Sequence, residues 1–197
     1  VTAGGAAIVA AIILGKRKGF PDTPMPPHNL TMTVTGACLL WVGWFGFNAG
    51  SAGGANGAAG MAMLVTQISA AIASLAWMFA EWIKFGKPSV LGIVTGMVAG
   101  LASITPASGF VGPIGAIFIG FVGGLGCFFA TQYIKRVLKI DDSLDVFSVH
   151  GVGGMIGLLL LSIFSAEGFG GIGLDEGGVS GLFITQVIGI ISTLLWC

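Results

Sequence analysis

Apolar residues fall in long, nearly unbroken runs along this chain, and charged residues are confined to the gaps between them and, at Glu81, to the edge of one run. Five runs reach the roughly 20 residues that a helix needs to cross the hydrocarbon layer of a bilayer. They span about 29–49, 61–82, 89–107, 113–133 and 146–166. Two more, at 1–14 and 180–197, abut the chain ends. Local chemistry marks the boundaries. Pro26-Pro27 cannot continue a helix, and Asn29 can cap the next one. Pro88 and Pro113 sit near helix starts, where a missing N–H costs nothing. Asp142, Ser143 and Asp145 open the run that holds His150, and negative charge there complements a helix N-terminus. Asp145 reads as that cap or as an anchor at the membrane edge. The pattern predicts an all-α integral membrane protein, a polytopic helix bundle.

Charge adds orientation. Lys16, Arg17 and Lys18 follow the first run, Lys84 and Lys87 the third, and Lys135, Arg136 and Lys139 the fifth. The intervening gaps at 50–60, 107–112 and 167–179 hold no Lys or Arg. Cytoplasmic loops carry the basic excess, so 15–28, 83–88 and 134–145 are predicted to face the cytoplasm. Charged residues make up 8% of the chain against about 25% in a soluble domain, too few to coat a surface facing water. A net charge of zero leaves no basic face for nucleic acid. The chain opens at Val1 within one apolar run and stops within another. It therefore reads as one transmembrane domain, 1–197, truncated at both ends and lodged in the cell membrane.

Several features have plain structural readings. Cys38 and Cys127 lie inside apolar runs and Cys197 ends the chain; with no CxxC or His-paired spacing, they read as buried packing residues, not a metal site or disulfide. Asn29-Leu30-Thr31 matches a glycosylation sequon but falls on the predicted cytoplasmic side, and His28 reads as a solvated loop residue. Gly92/Gly96/Gly100, Gly120/Gly124, Gly153/Gly157 and Gly46/Gly50 repeat at intervals of four, which lets helix backbones approach closely in lipid.

Three features ask for more. His150 is, cysteines aside, the one ionisable side chain well inside an apolar run, and burial of such a group is costly without a partner or water. Asp145, five residues earlier, lies about 140° around the helix and is poorly placed to be that partner. Trp44, Phe47 and Ser51, at spacings of three and four, share a helix face; they form either an interfacial belt or an aromatic site for a small cation. Thr105-Pro106-Ala107 ends a helix at an outward loop, and termination alone explains it. Enzyme readings fail on inventory: there is no HExxH, phosphate-binding loop, intramembrane carboxylate pair or usable Ser–His pair. Ser148 and His150, two apart, lie on different faces.

Asn48-Ala-Gly-Ser51 after Gly-Trp-Phe-Gly-Phe, then Thr105-Pro-Ala-Ser-Gly, then Asp141-Asp-Ser-Leu-Asp-Val-Phe-Ser-Val-His150-Gly, together resemble the ammonium transporter (Amt/MEP/Rh) family, its Amt branch in particular. The resemblance runs the length of the chain. It implies an eleven-span fold of two inverted five-helix repeats, a homotrimer with a pore through each subunit, no cofactor, and a PII-type cytoplasmic regulator as partner. Val1-Thr-Ala-Gly-Gly looks like the end of span five and 180–197 like the start of span eleven, so the chain would hold the second repeat. By the same resemblance His150 is the second of two pore histidines, Phe47 one of two stacked gate phenylalanines and Trp44 a pore-lining residue. Ser51 is a serine that holds ammonium in the outer vestibule. The partner histidine, the other gate phenylalanine and the main vestibule aromatics would belong to spans outside this sequence. Stripping a proton before the narrow pore spares a bare charge the passage through apolar walls, and a histidine with a near-neutral pKa suits the relay. An ammonium sensor with a transporter-like domain, or a neutral-solute channel, are the alternative readings.

Overall fold

The computed structural model describes residues 1–174 and 177–197. Among them the chain forms α1 (Thr2–Leu14), α2 (Leu30–Gly50), α3 (Gly57–Phe85), α4 (Val90–Ile104), α5 (Pro113–Gln132), α6 (Gly153–Phe164) and α7 (Gly178–Trp196), with no strand. A π-helical turn, Tyr133–Val137, extends α5, and a second, Phe147–Val152, leads into α6. Taken with these extensions, Leu30–Gly50, Gly57–Phe85, Pro113–Val137, Phe147–Phe164 and Gly178–Trp196 are long and apolar enough to cross a membrane.

The caps follow the local sequence. Asn29 accepts from the Met32 N–H at 3.0 Å, and Pro113 occupies the first turn of α5. Pro88 precedes Ser89, whose hydroxyl accepts from the Gly92 N–H. Ser89 is itself gripped by Glu81, which accepts from its backbone N–H at 2.7 Å and its hydroxyl at 3.2 Å, so α3 fixes where α4 begins.

One expected span is shorter than its apolar run. The run 89–107 yields 15 helical residues, about 22 Å of rise against a hydrocarbon core of about 30 Å. Pro106 is the reason. Its ring cannot sit in a helix interior and it offers no N–H, so the chain leaves α4 in a series of turns through Thr105–Phe110. Ala107 and Ser108 are buried in that stretch, as is Val111 beyond it, while Gly109 and Phe110 are exposed at the outward end of the bundle.

The core is an α3–α4–α5 layer with α6 behind it. A Cβ at Gly96 would meet Trp77 and the Ala73 carbonyl, one at Gly100 the Ser69 carbonyl, and one at Gly124 the Ala73 backbone. Gly120 faces Ser69 in the same way, and Gly157 faces the Ser103 carbonyl. Ser69 donates across the layer to the Gly100 carbonyl at 2.9 Å. Gly46 and Gly50 differ: a Cβ at either would meet nothing, so that pair does not mediate a close approach here. The cysteine reading also needs correction. Cys127 is buried, but Cys38 and Cys197 are exposed on α2 and at the end of α7, because those helices turn most of their surface away from this bundle.

The three basic clusters meet at one end of the bundle. Arg17 forms a forked pair with Asp141, Nε to Oδ2 at 2.8 Å and Nη2 to Oδ1 at 2.7 Å, and its backbone N–H adds a third bond. Lys84 lies over the rings of Phe128 and Phe129, and Arg136 over Phe85. The alternation of charge along the sequence is thus a same-side arrangement in space.

Candidate functional site

Three of the four residues singled out from the sequence meet on one strip of α2. The Trp44 and Phe47 rings approach edge to face, centroids 6.0 Å apart at 69°. On its other side the Trp44 indole lies nearly parallel to the His150 imidazole, 6.0 Å away and inclined by 10°. Ser51 stands a turn beyond Phe47, and its hydroxyl donates to the Phe47 carbonyl at 2.8 Å. The order along the strip is Ser51, Phe47, Trp44, His150. Phe47 is 64% exposed, so its ring projects from the bundle and is not packed in its interior. Trp44 and His150 are half-buried.

His150 reaches this strip through the π-helical turn. Its helix begins at Phe147, only three residues earlier, yet the residue is deep when measured along its neighbours. Gly151 packs against Gly4 without space for a Cβ at Gly4, and Gly4 lies ten residues, about 15 Å, from the end of α1. Trp44 is about 21 Å along α2 from Leu30. The preceding loop therefore climbs into the bundle before the helix opens.

Two carboxylates hold that loop. Asp142 accepts from the Val146 N–H at 3.0 Å and the Phe147 N–H at 2.8 Å, so the capping role belongs to Asp142. Asp145, with φ at 57°, is the anchor: its Oδ1 lies 2.7 Å from Lys135 Nζ. Burial pushes the Asp145 carboxyl above its ordinary range, and the Lys135 ammonium pulls the other way. Asp141, in contrast, is held below the carboxylate range by its hydrogen bonds from Arg17.

Two residues given no role from the sequence prove structural partners of the strip. Thr105 Oγ1 accepts from Trp44 Nε1 at 2.7 Å and donates to the Leu101 carbonyl at 2.7 Å. Asn48 is buried and donates to Thr66 Oγ1 at 2.9 Å, which pins the outward end of α2 to α3. A polar amide in an apolar helix was the visible signal for Asn48. Nothing local distinguishes Thr105 from an ordinary helix end.

Chemically, the strip offers aromatic faces, a hydroxyl and an imidazole. The Ser51 proton is committed to Phe47, leaving Oγ lone pairs as acceptors, which suits a ligand that only donates. No group of three His, Cys, Asp or Glu that could hold a metal occurs among the described residues. An apolar trough of about 430 Å³ follows α2 over Leu40, Gly43, Trp44 and Phe47. A larger one, about 640 Å³ between α3 and α5, shares no residue with the strip.

The model of the Ammonium Transporter Family matches residues 1–197. The chain is 47% identical over 197 residues to an ammonium transporter of Aquifex aeolicus, covering all of this chain and 46% of that protein. It is 46% identical to the ammonium transporter Amt1 of Archaeoglobus fulgidus, over 98% of this chain and 49% of that one. Among solved structures, Saccharomyces cerevisiae Mep2 superposes with a TM-score of 0.83 at 38% identity, over 99% of this chain and 47% of Mep2. A sensor Amt protein superposes with a TM-score of 0.89 at 33% identity, over 99% of this chain and 49% of its own. The chain thus spans about half the length of the relatives it matches. With a match across every residue and a bundle that superposes on solved members, the chain belongs to the ammonium transporter family of integral membrane proteins.

Proposed function

We propose that this chain forms one wall of an ammonium-conducting pore, with Ser51 at the outer vestibule and Phe47, Trp44 and His150 following inward. The observation that carries the reading is the continuous strip itself: an acceptor hydroxyl, an exposed ring and an indole stacked on an imidazole. Ammonium donates four N–H bonds and accepts none. Ser51 Oγ supplies an acceptor, and the faces of Phe47 and Trp44 favour a cation through their quadrupoles. Past the rings the walls turn apolar, where a charged ion is costly and ammonia is not. The ion therefore gives up a proton to water on the outer side of Phe47, and ammonia continues to His150, whose imidazole presents one donor and one acceptor. The protein is a transporter and not an enzyme, acts as a homotrimer, and presents the ends bearing Arg17, Lys84 and Lys135 to the cytoplasm and to a PII-type regulator.

The test is methylammonium uptake into vesicles holding the intact protein. Wild type takes up the probe, and His150→Ala at equal membrane abundance does not; equal uptake by the two would overturn the reading. A second reading, an ammonium sensor built on the same bundle, draws on the likeness to the sensor Amt protein. It predicts saturable ammonium binding with negligible wild-type flux in the same vesicles.

A further inference from the structure

Trp44 is the residue on which the strip turns, since it touches Phe47 by its edge and His150 by its face. Its indole N–H makes a single polar contact. An indole N–H donates and cannot accept, so in an apolar wall it needs an acceptor aimed at it. A threonine hydroxyl is ordinarily free to rotate, but the Thr105 proton is committed to the Leu101 carbonyl at 2.7 Å. That commitment turns a lone pair of Oγ1 toward Trp44 Nε1, also at 2.7 Å. The backbone holds the arrangement in place: α4 ends at Ile104, and Pro106 prevents its continuation. Val98, from the same helix, packs with Trp44 against the core, so the ring is seated on α4 by contact as well as by hydrogen bond.

We infer that Thr105 is a positioning residue for conduction, acting through the Trp44 indole to keep its ring parallel to His150 and edge-on to Phe47. This rests on the transport reading above. Thr105 itself need not touch the conducted species. Without its hydroxyl the indole N–H loses its acceptor, and the ring is free to tilt out of the stack in search of another. A side chain that merely ended α4 would be replaceable by any residue of the same shape, and valine is that residue.

The experiment compares Thr105→Val, Thr105→Ser and Trp44→Phe in the intact protein, reading methylammonium flux per molecule and the indole N–H band by ultraviolet resonance Raman. The wild-type minus Trp44→Phe difference spectrum isolates the Trp44 indole. Thr105→Val is expected to shift that band toward a weaker hydrogen bond and to lower flux about tenfold, the rate equivalent of losing one hydrogen bond's worth of alignment. Thr105→Ser, which keeps the hydroxyl, should restore the band and most of the flux. In the Trp44→Phe background, Thr105→Val should have no further effect, because no N–H remains to be held. That arm also decides the matter if Thr105→Val alone fails to reach the membrane, since an additional loss of flux there would overturn the inference. An unshifted band, or a shifted band with wild-type flux, would overturn it as well. Wild type without any flux would sink the transport reading and this role together. That outcome is distinct from a conducting wild type matched by Thr105→Val, which defeats the positioning role alone.

Discussion

Helices α3 and α5 meet through glycine, alanine and serine with backbones in contact, whereas α2, which carries Trp44 and Phe47, buries only Ala37 and Asn48. The two regions follow different rules because lipid supplies no hydrophobic drive between helices. In the α3–α4–α5 layer, association comes from close packing and a cross-helix hydrogen bond from Ser69, so small residues are the structural element. Along α2 the residues are large and aromatic, and the glycines at 46 and 50 face nothing. One region spends its sequence on holding together. The other leaves a face uncovered by the helices of this chain, and the strip proposed to line the pore is on that face.

This contrast is breakable from its functional side first. His150→Ala should abolish methylammonium flux while leaving membrane insertion and thermal stability near wild type, because the ring lies outside the α3–α4–α5 core clusters. Flux in vesicles beside a melting curve would show it. From the structural side, Gly124→Val should cost at least the 1–3 kcal/mol typical of overpacking, since its Cβ would meet the Ala73 backbone and not a flexible side chain. Gly46→Ala, whose Cβ meets nothing within this bundle, should cost less than Gly124→Val, and comparable losses at both positions, read by detergent-induced unfolding, would erase the distinction.

Phe47→Ala should leave stability almost intact and alter selectivity. A buried phenylalanine loses about 3–5 kcal/mol on truncation, but this ring projects from the α3–α4–α5 core and, on the transport reading, packs against a channel. Methylammonium flux measured against potassium competition reports the change. A variant matching wild type in both flux and selectivity would remove Phe47 from the gate. Ser51→Ala should act more gently, raising the half-saturating ammonium concentration several-fold for one lost acceptor while leaving maximal flux alone.

The smallest expected effect concerns acid. Asp141 is held below its unfolded value by Arg17, so its contribution to stability is fully present above about pH 4 and is lost as pH falls through the depressed folded value. Asp145 has the opposite sign. Its raised value means that its contribution is present below about pH 4 and fades as pH rises through the folded value. Asp141→Asn should therefore flatten the acid limb of a melting-temperature profile, and Asp145→Asn should not.

Much of this was legible in the sequence because lipid leaves few options. Apolar runs of spanning length became helices, Asn29 and Pro113 sat at their starts, and alternate basic gaps converged at one end. The spacing of Trp44, Phe47 and Ser51 did put them on one face. What was not legible depended on partners distant in sequence. Whether a glycine pair packs depends on what stands opposite, so Gly120/Gly124 and Gly46/Gly50 look alike in one dimension and differ in three. Asp142 and Asp145 were equally placed to cap, and only the loop's climb assigned the N–H groups to one and Lys135 to the other. Thr105 stood out in the sequence only as a helix end, because its acceptor role is set by an indole 61 positions away.

The π-helical turn at Phe147–Val152 bears on how this gene can vary. A π turn carries one more residue than an α turn for the same advance, and such turns are frequent at functional sites. A deletion of a single codon within 147–152 could be absorbed by relaxation to ordinary α-helical winding, with α6 still docked through Gly153 and Gly157. The same relaxation would turn the imidazole by about 100° around the helix axis, away from Trp44. On the transport reading, such an allele would make a protein that inserts and resists proteolysis, yet conducts nothing. Abundance in the membrane would therefore be a poor proxy for its activity.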